Sequence, residues 1–409
     1  MPLMPLRTLF VDFNSYFASV EQQLHPELRG RPIAVLPVMA DTTCCIAASY
    51  EAKKFGIMTG TRVTDAKRFC PEIRLVEARP AVYIEYHHKL VEAVESCTPV
   101  EHVYSIDEMG CKLTGSQQQK EKALALAETI KRKIAGCVGE SLRCSIGIAP
   151  NTFLAKVASE MQKPDGCVVI EETDLPQCLY PLQLRALTGI GRNMEKRLKK
   201  HGINSVQALC AADKTGLRLA WGGIEGERMY AKLRGEEVII SPSRRGSVGH
   251  SHVLPPELRS HEKAYSVLNR LLQKAAMRLR SYNCIAGRMH VRVKYVDGSD
   301  WENQRRCGST QDTLQLLKIL GKLWKDRRNT TAPLAVSLTL LDLDEQAHQS
   351  RSLFDSGNNR NKLNAVIDSL NLRYGKNTLY FGGAHLALKS APMRIAFNHI
   401  PDPVIEGDE

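Results

Sequence analysis

Apolar and polar positions change period several times along this 409-residue chain. "RTLFVDF" (7–13) is an unbroken apolar, β-prone run and predicts a buried strand. "NSYFASVEQQL" (14–24) switches to the helical period, with Tyr16, Val20 and Leu24 on one stripe and Pro26 as the stop. "RPIAVLPV" predicts a second strand. "IAASYEAKKFG" (46–56) passes from strand to short helix, with Gly56 as its C-terminal cap. Residues 81–98 and 118–135 predict helices. "VYSIDEMGCKLTG" and "LRCSIGIAP" (142–150) predict sheet strands on either side of the second of these. "NTFLAKVASEM" (151–161) is amphipathic, and "KPDG" ends it. This mixture predicts an α/β or α+β domain of about 170 residues.

From Leu182 the pattern changes to short helices around "LTGIGRNMEKRLKKHGI". "VIISPSRRGSVGH" (238–250) reads as an exposed linker. Beyond it the pattern predicts strand, helix (260–282), strand (286–296), strand (303–308), helix (311–326) and strand (334–342). That β-α-β-β-α-β order makes a small sheet with two helices on one face. The stretch from Asp344 begins polar and predicts a tail with one further helix.

Charge adds a partner. The formal net charge is +12. Between Ser241 and Leu343 stand 18 lysines and arginines against 8 aspartates and glutamates, so most of the excess falls in one quarter of the chain. Such concentration predicts a surface for an acidic polymer, nucleic acid first. The strand "GRMHVRVKYV" sharpens this. Met289, Val291, Val293 and Tyr295 face one way, and Arg288, His290, Arg292 and Lys294 the other. Cations every second residue lie about 6.7 Å apart, a spacing suited to backbone phosphates. In "LTGIG", Gly189 and Gly191 before Arg192 predict a helix-hairpin-helix whose backbone N–H groups meet a phosphate. The 12 cysteines contain no Cys-x-x-Cys pair and read as reduced thiols. No apolar stretch is long enough to span a membrane, and "MPLMPLRTLFVDF" lacks signal-peptide order; a soluble cytoplasmic protein is expected.

Three carboxylates carry the candidate chemistry. Asp12 ends the first strand, and Asp107 and Glu108 end another. Hard oxygen ligands without nearby His or Cys suit Mg²⁺ or Mn²⁺. Neighbours on a regular strand point to opposite faces, so Asp107 and Glu108 share a site only at a strand end or twist, which Gly110 permits. Tyr50, Lys53 and Lys54 at a helix start, and Lys163 past a helix end, are candidates for a triphosphate.

"FVDFNSYFASVEQ", "ASYEAKKFGI", "YSIDE", "CSIGIAPNTFLAKVASEMQKPDG" and "LTGIG" together resemble the Y-family translesion DNA polymerases over residues 7–343, and the tail "LNLRYGKNTLYFGG" resembles the bacterial UmuC branch. The resemblance implies a multidomain right-hand polymerase. Its palm would be 1–24 and 81–175, small fingers 25–80, a helical thumb 176–240, a linker 241–247, a little finger 248–343 and a tail 344–409. It implies two Mg²⁺ ions on Asp12, Asp107, Glu108 and the Phe13 backbone carbonyl. Phe17 would be the steric gate against a ribose 2′-OH, and Tyr50, Lys53 and Lys163 would hold the dNTP. Gly189, Gly191, Arg192, Arg288, His290, Arg292 and Lys294 would hold primer-template DNA. "QSRSLFD" resembles a sliding-clamp peptide through Gln349, Leu353 and Phe354. The UmuC likeness implies a UmuD-type accessory protein, RecA and a nucleoid-associated location. Four departures stand out: Lys53 replaces the usual Arg, Gly110 the usual aromatic, Lys112 an Asp, and Asn14 the Asp of many relatives. Gly110 and Lys53 leave open a silent family member that acts as a DNA-binding recruitment module. A helix-hairpin-helix nuclease ranks last, because it gives Phe17 and "YEAKKFG" no role.

Overall fold

The computed structural model describes residues 4–238, 244–328, 330–346, 358–390, 395 and 400–402. The chain divides into two units, residues 1–240 with 395–400, and residues 241–394 with 401–409.

The first unit runs β1 (Thr8–Phe13), α1 (Tyr16–Leu24), β2 (Ile33–Leu36), β3 (Ala47–Ala48), α2 (Tyr50–Lys53), α3 (Val63–Phe69), β4 (Arg74–Glu77), α4 (Pro80–Glu95), β5 (Val100–Ser105), β6 (Glu108–Lys112), α5 (Lys120–Cys137), β7 (Cys144–Ala149), α6 (Thr152–Met161) and β8 (Cys167–Val169). Short helices α7 (Arg192–Lys200), α8 (Val206–Ala211), α9 (Lys214–Trp221) and α10 (Ile224–Lys232) follow. Five strands form one sheet in the order β5-β6-β1-β7-β8. Every residue of β1 is buried, as expected of an unbroken apolar run, so β1 takes the centre, antiparallel to β6 and β7. Strands β3-β2-β4 form a separate small sheet over Leu36, Ile57 and Val63. The pattern did not reveal α3, β4 or β8. Leu24, assigned to the buried stripe of α1, is exposed.

One expected strand is two. "VYSIDEMGC" folds back on itself, so β5 pairs with β6 across a turn at Ile106-Asp107. The carboxylates therefore sit at a hairpin tip, not at the end of one strand. Gly110 does not loosen this hairpin. A Cβ there would lie 3.0 Å from the Tyr104 ring, which packs 5.3 Å from Phe10. Tyr104 fills the space that an aromatic at 110 would need.

The second unit contains β9 (Ser247–Val253), α11 (His261–Ser281), β10 (Cys284–Tyr295), β11 (Asp300–Thr310), α12 (Thr313–Lys325) and β12 (Pro333–Glu345). This is the expected β-α-β-β-α-β order, closed as an antiparallel sheet β11-β10-β12-β9. Met289, Val291, Val293 and Tyr295 are buried, as the alternation requires. The tail helix α13 (Asn358–Tyr374) returns to this unit, where Asp368 pairs with Arg280 of α11 at 2.5 Å. Part of the expected linker, residues 241–243, and all of Gln349, Leu353 and Phe354 lie outside the described residues. Among the described residues no helix is long and apolar enough to cross a membrane.

Helix α6 lies against β7 closely enough that a Cβ at Gly147 would fall 1.9 Å from the Ala155 carbonyl and 2.4 Å from the Ser159 nitrogen. Backbone cannot yield as a side chain can. Gly147→Ala should lower unfolding stability by about 3 kcal/mol or more, read from urea denaturation. A variant melting at the wild-type midpoint would refute this packing.

Candidate active site

Strand pairing sets the site. Asp12 is the register partner of Glu108 on one side and of Ser145 on the other. The tight turn then places Asp107 beside the end of β1, where the Phe13 N–H donates to the Asp107 carbonyl at 2.9 Å. The Ser105 hydroxyl donates to Asp107 Oδ1 at 2.6 Å. Asp12 is only 4% exposed.

Two lysines face these carboxylates. Lys163 Nζ donates to Asp12 Oδ1 at 2.7 Å and to Glu160 at 2.9 Å. Lys156, on α6, pairs with Glu108 and stands 4.0 Å from Asp12. Burial is the largest influence on Asp12 and pushes its carboxyl from 3.8 up to about 7, against the pull of Lys163 and Lys156. Burial lowers the Lys163 ammonium, but Asp12 and Glu160 outweigh it, so its pKa rises.

Does this site fit the divalent ions that the resemblance implies? The donors are all hard oxygen, and the Lys156 ammonium stands as a cation between Asp12 and Glu108. The raised Asp12 carboxyl means that two lysines leave it short of positive charge. Both features fit a divalent cation. Among the described residues, however, no three His, Cys, Asp or Glu are grouped to hold one. The structure brings Asp12 and Glu108 together and keeps Asp107 on Ser105.

The other candidates converge on the same region. Lys53 Nζ lies 4.2 Å from the Tyr50 ring centre. Burial raises the Tyr50 hydroxyl and lowers the Lys53 ammonium, and both respond to Lys163, Asp12 and Glu160. Phe17 is half-buried and stacks on Tyr83 at 4.5 Å and 14°. Tyr83 donates to Glu21, which is fully buried and pairs with Arg79. Gly189 has φ +90°, a conformation that favours glycine, and Gly191 precedes α7. Both are exposed, as is Arg192.

In the second unit, Arg288, His290 and Arg292 lie on the exposed face as expected, but each has a carboxylate partner. Arg288 meets Asp342 at 2.5 and 2.7 Å. Arg292 pairs with Asp300, and His290 lies 3.7 Å from Glu302. Lys294 is opposite Asp300 in register. The stripe thus carries its own counter-ions.

Sequence reasoning gave no role to Lys156, Glu160, or the Glu21, Arg79 and Tyr83 brace. Lys156 carried a signal: one lysine between Leu154-Ala155 and Val157-Ala158, all buried.

The first unit is thus a mixed α/β body around a five-stranded sheet, and the second carries its own four-stranded antiparallel sheet. The impB/mucB/samB family model matches residues 11–160, and the model of that family's C-terminal domain matches 245–353. DNA polymerase IV of Moorella thermoacetica is 31% identical over 383 residues, spanning 91% of this chain and 94% of the relative. DNA polymerase IV 1 of Bacillus subtilis is 28% identical over 401 residues, 95% of each chain. A solved Y-family DNA polymerase chimera of Dbh and Dpo4 aligns with TM-score 0.71 at 23% identity, covering 83% of this chain and all of the other. An insertion ternary complex of Dbh DNA polymerase aligns with TM-score 0.56 at 22% identity, again over 83% of this chain and all of the other. This chain belongs to the impB/mucB/samB family, the Y-family DNA polymerases. The two relatives named here are DNA polymerases IV, so the family is shown at that level and not at the UmuC branch.

Ionising Asp12 inside the fold is unfavourable up to about pH 7. A raised carboxyl pKa favours folding below the unfolded value of 3.8, and that contribution is lost as pH rises to about 7. In EDTA, Asp12→Asn should therefore melt several degrees above wild type at pH 8, and the gap should close toward pH 5. An Asp12→Asn protein less stable than wild type at pH 8 would contradict this electrostatic reading.

Proposed function

We propose that this chain copies damaged DNA as a template-directed, low-fidelity polymerase, joining dNTPs to a primer 3′-OH. The observation that carries the reading is the facing pair Asp12 and Glu108, buried at the end of the central strands with lysines held against them. Asp12, Asp107, Glu108 and the Phe13 carbonyl would hold Mg²⁺, or Mn²⁺ in its place. Bound there, such ions lower the pKa of the 3′-OH and stabilise the leaving pyrophosphate. The chain's own groups do the rest. Lys163 exchanges a carboxylate for a phosphate oxygen, with Tyr50 and Lys53 beside it. Phe17, braced by Tyr83, blocks a 2′-OH. Gly189, Gly191 and Arg192 take a backbone phosphate without reading sequence. Arg288, His290, Arg292 and Lys294 exchange their carboxylates for DNA phosphates.

The five-stranded sheet supports a palm at 1–24 and 81–175, the small sheet fingers at 25–80, and α7–α10 a thumb at 176–240. The second unit corresponds to linker, little finger and tail. Gly110 and Lys53 are the sequence arguments for a silent member, and the Tyr104 ring accounts for the first of them. The relatives' names favour a polymerase of the DNA polymerase IV kind, while the tail sequence favours a UmuC-like one. The polymerase would work at the nucleoid in the cytoplasm and engage a sliding clamp through Gln349, Leu353 and Phe354. A UmuD-type protein and RecA are the additional partners of the UmuC-like form.

Primer extension past one abasic site, with Mg²⁺ and four dNTPs, tests the reading. Wild type should extend. Asp12→Ala and Glu108→Ala should each lose about a thousandfold or more, as expected when charge stabilisation of the transition state is removed. Phe17→Ala should extend with ribonucleotides. Extension without UmuD and RecA supports the DNA polymerase IV kind; extension only with them supports the UmuC kind. Undiminished extension by both carboxylate variants would overturn the active-site assignment.

A further inference from the structure

We infer that Asn14 and Ser145 are positioning residues for Lys163, through the loop that carries it. The inference rests on the reading that Lys163 binds the dNTP triphosphate.

Lys163 lies in the loop 162–166 just after α6, and this loop is fastened on both sides of the lysine. On one side, the Gln162 carbonyl accepts from the Ser145 hydroxyl at 3.2 Å. On the other, the Asp165 N–H donates to Asn14 Oδ1 at 2.7 Å and the Gly166 N–H donates to Ser145 Oγ at 3.3 Å. Asn14 Nδ2 donates to the same Ser145 oxygen at 3.1 Å. Asn14 is 3% exposed and Ser145 is 0% exposed, so water does not compete. Asn14 is itself fixed by its backbone: its N–H donates to the Arg143 carbonyl at 2.9 Å, and its carbonyl accepts from the Ser19 hydroxyl at 2.7 Å. Lys131 ties down the outer side of the loop at Asp165, 2.9 Å from its carboxylate.

The hydrogen-bond pattern around the loop favours an amide at position 14. Ser145 has one hydroxyl proton. It also accepts from Asn14 Nδ2 and from Gly166, so that proton is shared between the Gln162 carbonyl at 3.2 Å and Asn14 Oδ1 at 3.3 Å. Asn14 then uses its oxygen for Asp165 and its nitrogen for Ser145. A carboxylate at 14 keeps the acceptor but has no N–H. It would draw the Ser145 proton to itself, leave the Gln162 carbonyl without its donor, and add a negative charge beside the loop.

The test is the dNTP dissociation constant of a complex with a dideoxy-terminated primer-template, so no chemistry intervenes. Asn14→Ala, Asn14→Asp and Lys163→Ala would be measured singly, and each position-14 change also combined with Lys163→Ala. Primer-template affinity and circular dichroism report folding. Each position-14 variant should weaken dNTP binding about tenfold, in line with loss of one charge-assisted contact, while DNA affinity stays unchanged. In the Lys163→Ala background neither should weaken it further. Full additivity on that background would overturn the inference while leaving the triphosphate role of Lys163 standing. No effect of Lys163→Ala would overturn both. Should Asn14→Ala fail to fold, the near-isosteric Asn14→Asp cycle decides alone.

Discussion

The structure depends on one buried anion. Asp12 lies at the end of a central strand, nearly out of water, and its desolvation outweighs the attraction of two lysines. That constraint organises its surroundings. The apolar run of β1 forces burial, and the antiparallel register puts Glu108 opposite. Gly147 lets α6 approach the sheet, bringing Lys156 and the Lys163 loop within reach. Below about pH 7 a proton relieves this charge; above it, a divalent cation would.

The same device recurs in a weaker form. Lys163 is held by Asp12, Lys156 by Glu108, Arg288 by Asp342 and Arg292 by Asp300. In each case an internal carboxylate occupies the cation. The buried pairs shape the site strongly. The exposed ones on β10 are worth little to stability, so another anion could displace them at small cost. Phe17 is handled differently, by packing. Its ring stacks on Tyr83, whose hydroxyl is fastened to the buried Glu21–Arg79 pair, so the ring has a rigid backing.

Much of this was legible in the sequence. Continuous burial marked β1, and strict alternation gave β10 its two faces. The carboxylates were legible as a group because hard oxygen donors at strand ends suit few purposes. Their geometry was not. "VYSIDEMGC" has no Gly or Asn at its turn, which left the hairpin unmarked, and Gly110 read as weakness because its contact with the Tyr104 ring exists only once the stretch folds back on itself. The short α3 and β4 lack enough residues for a period to emerge. Ion-pair partners such as Asp342 for Arg288 come from a strand 54 residues away, and no local pattern records them.

The most direct measurement is calorimetry of Mn²⁺ binding in buffers of different ionisation enthalpy, from pH 5.5 to 8.5. Because the Asp12 carboxyl is raised to about 7, binding should release a proton at the acidic end, and the release should fade as pH passes 8. The Asp12→Asn variant should release none. Tight binding with no proton release at pH 6, or release unaltered in Asp12→Asn, would contradict the claim that this buried carboxylate is held in wait for a divalent cation.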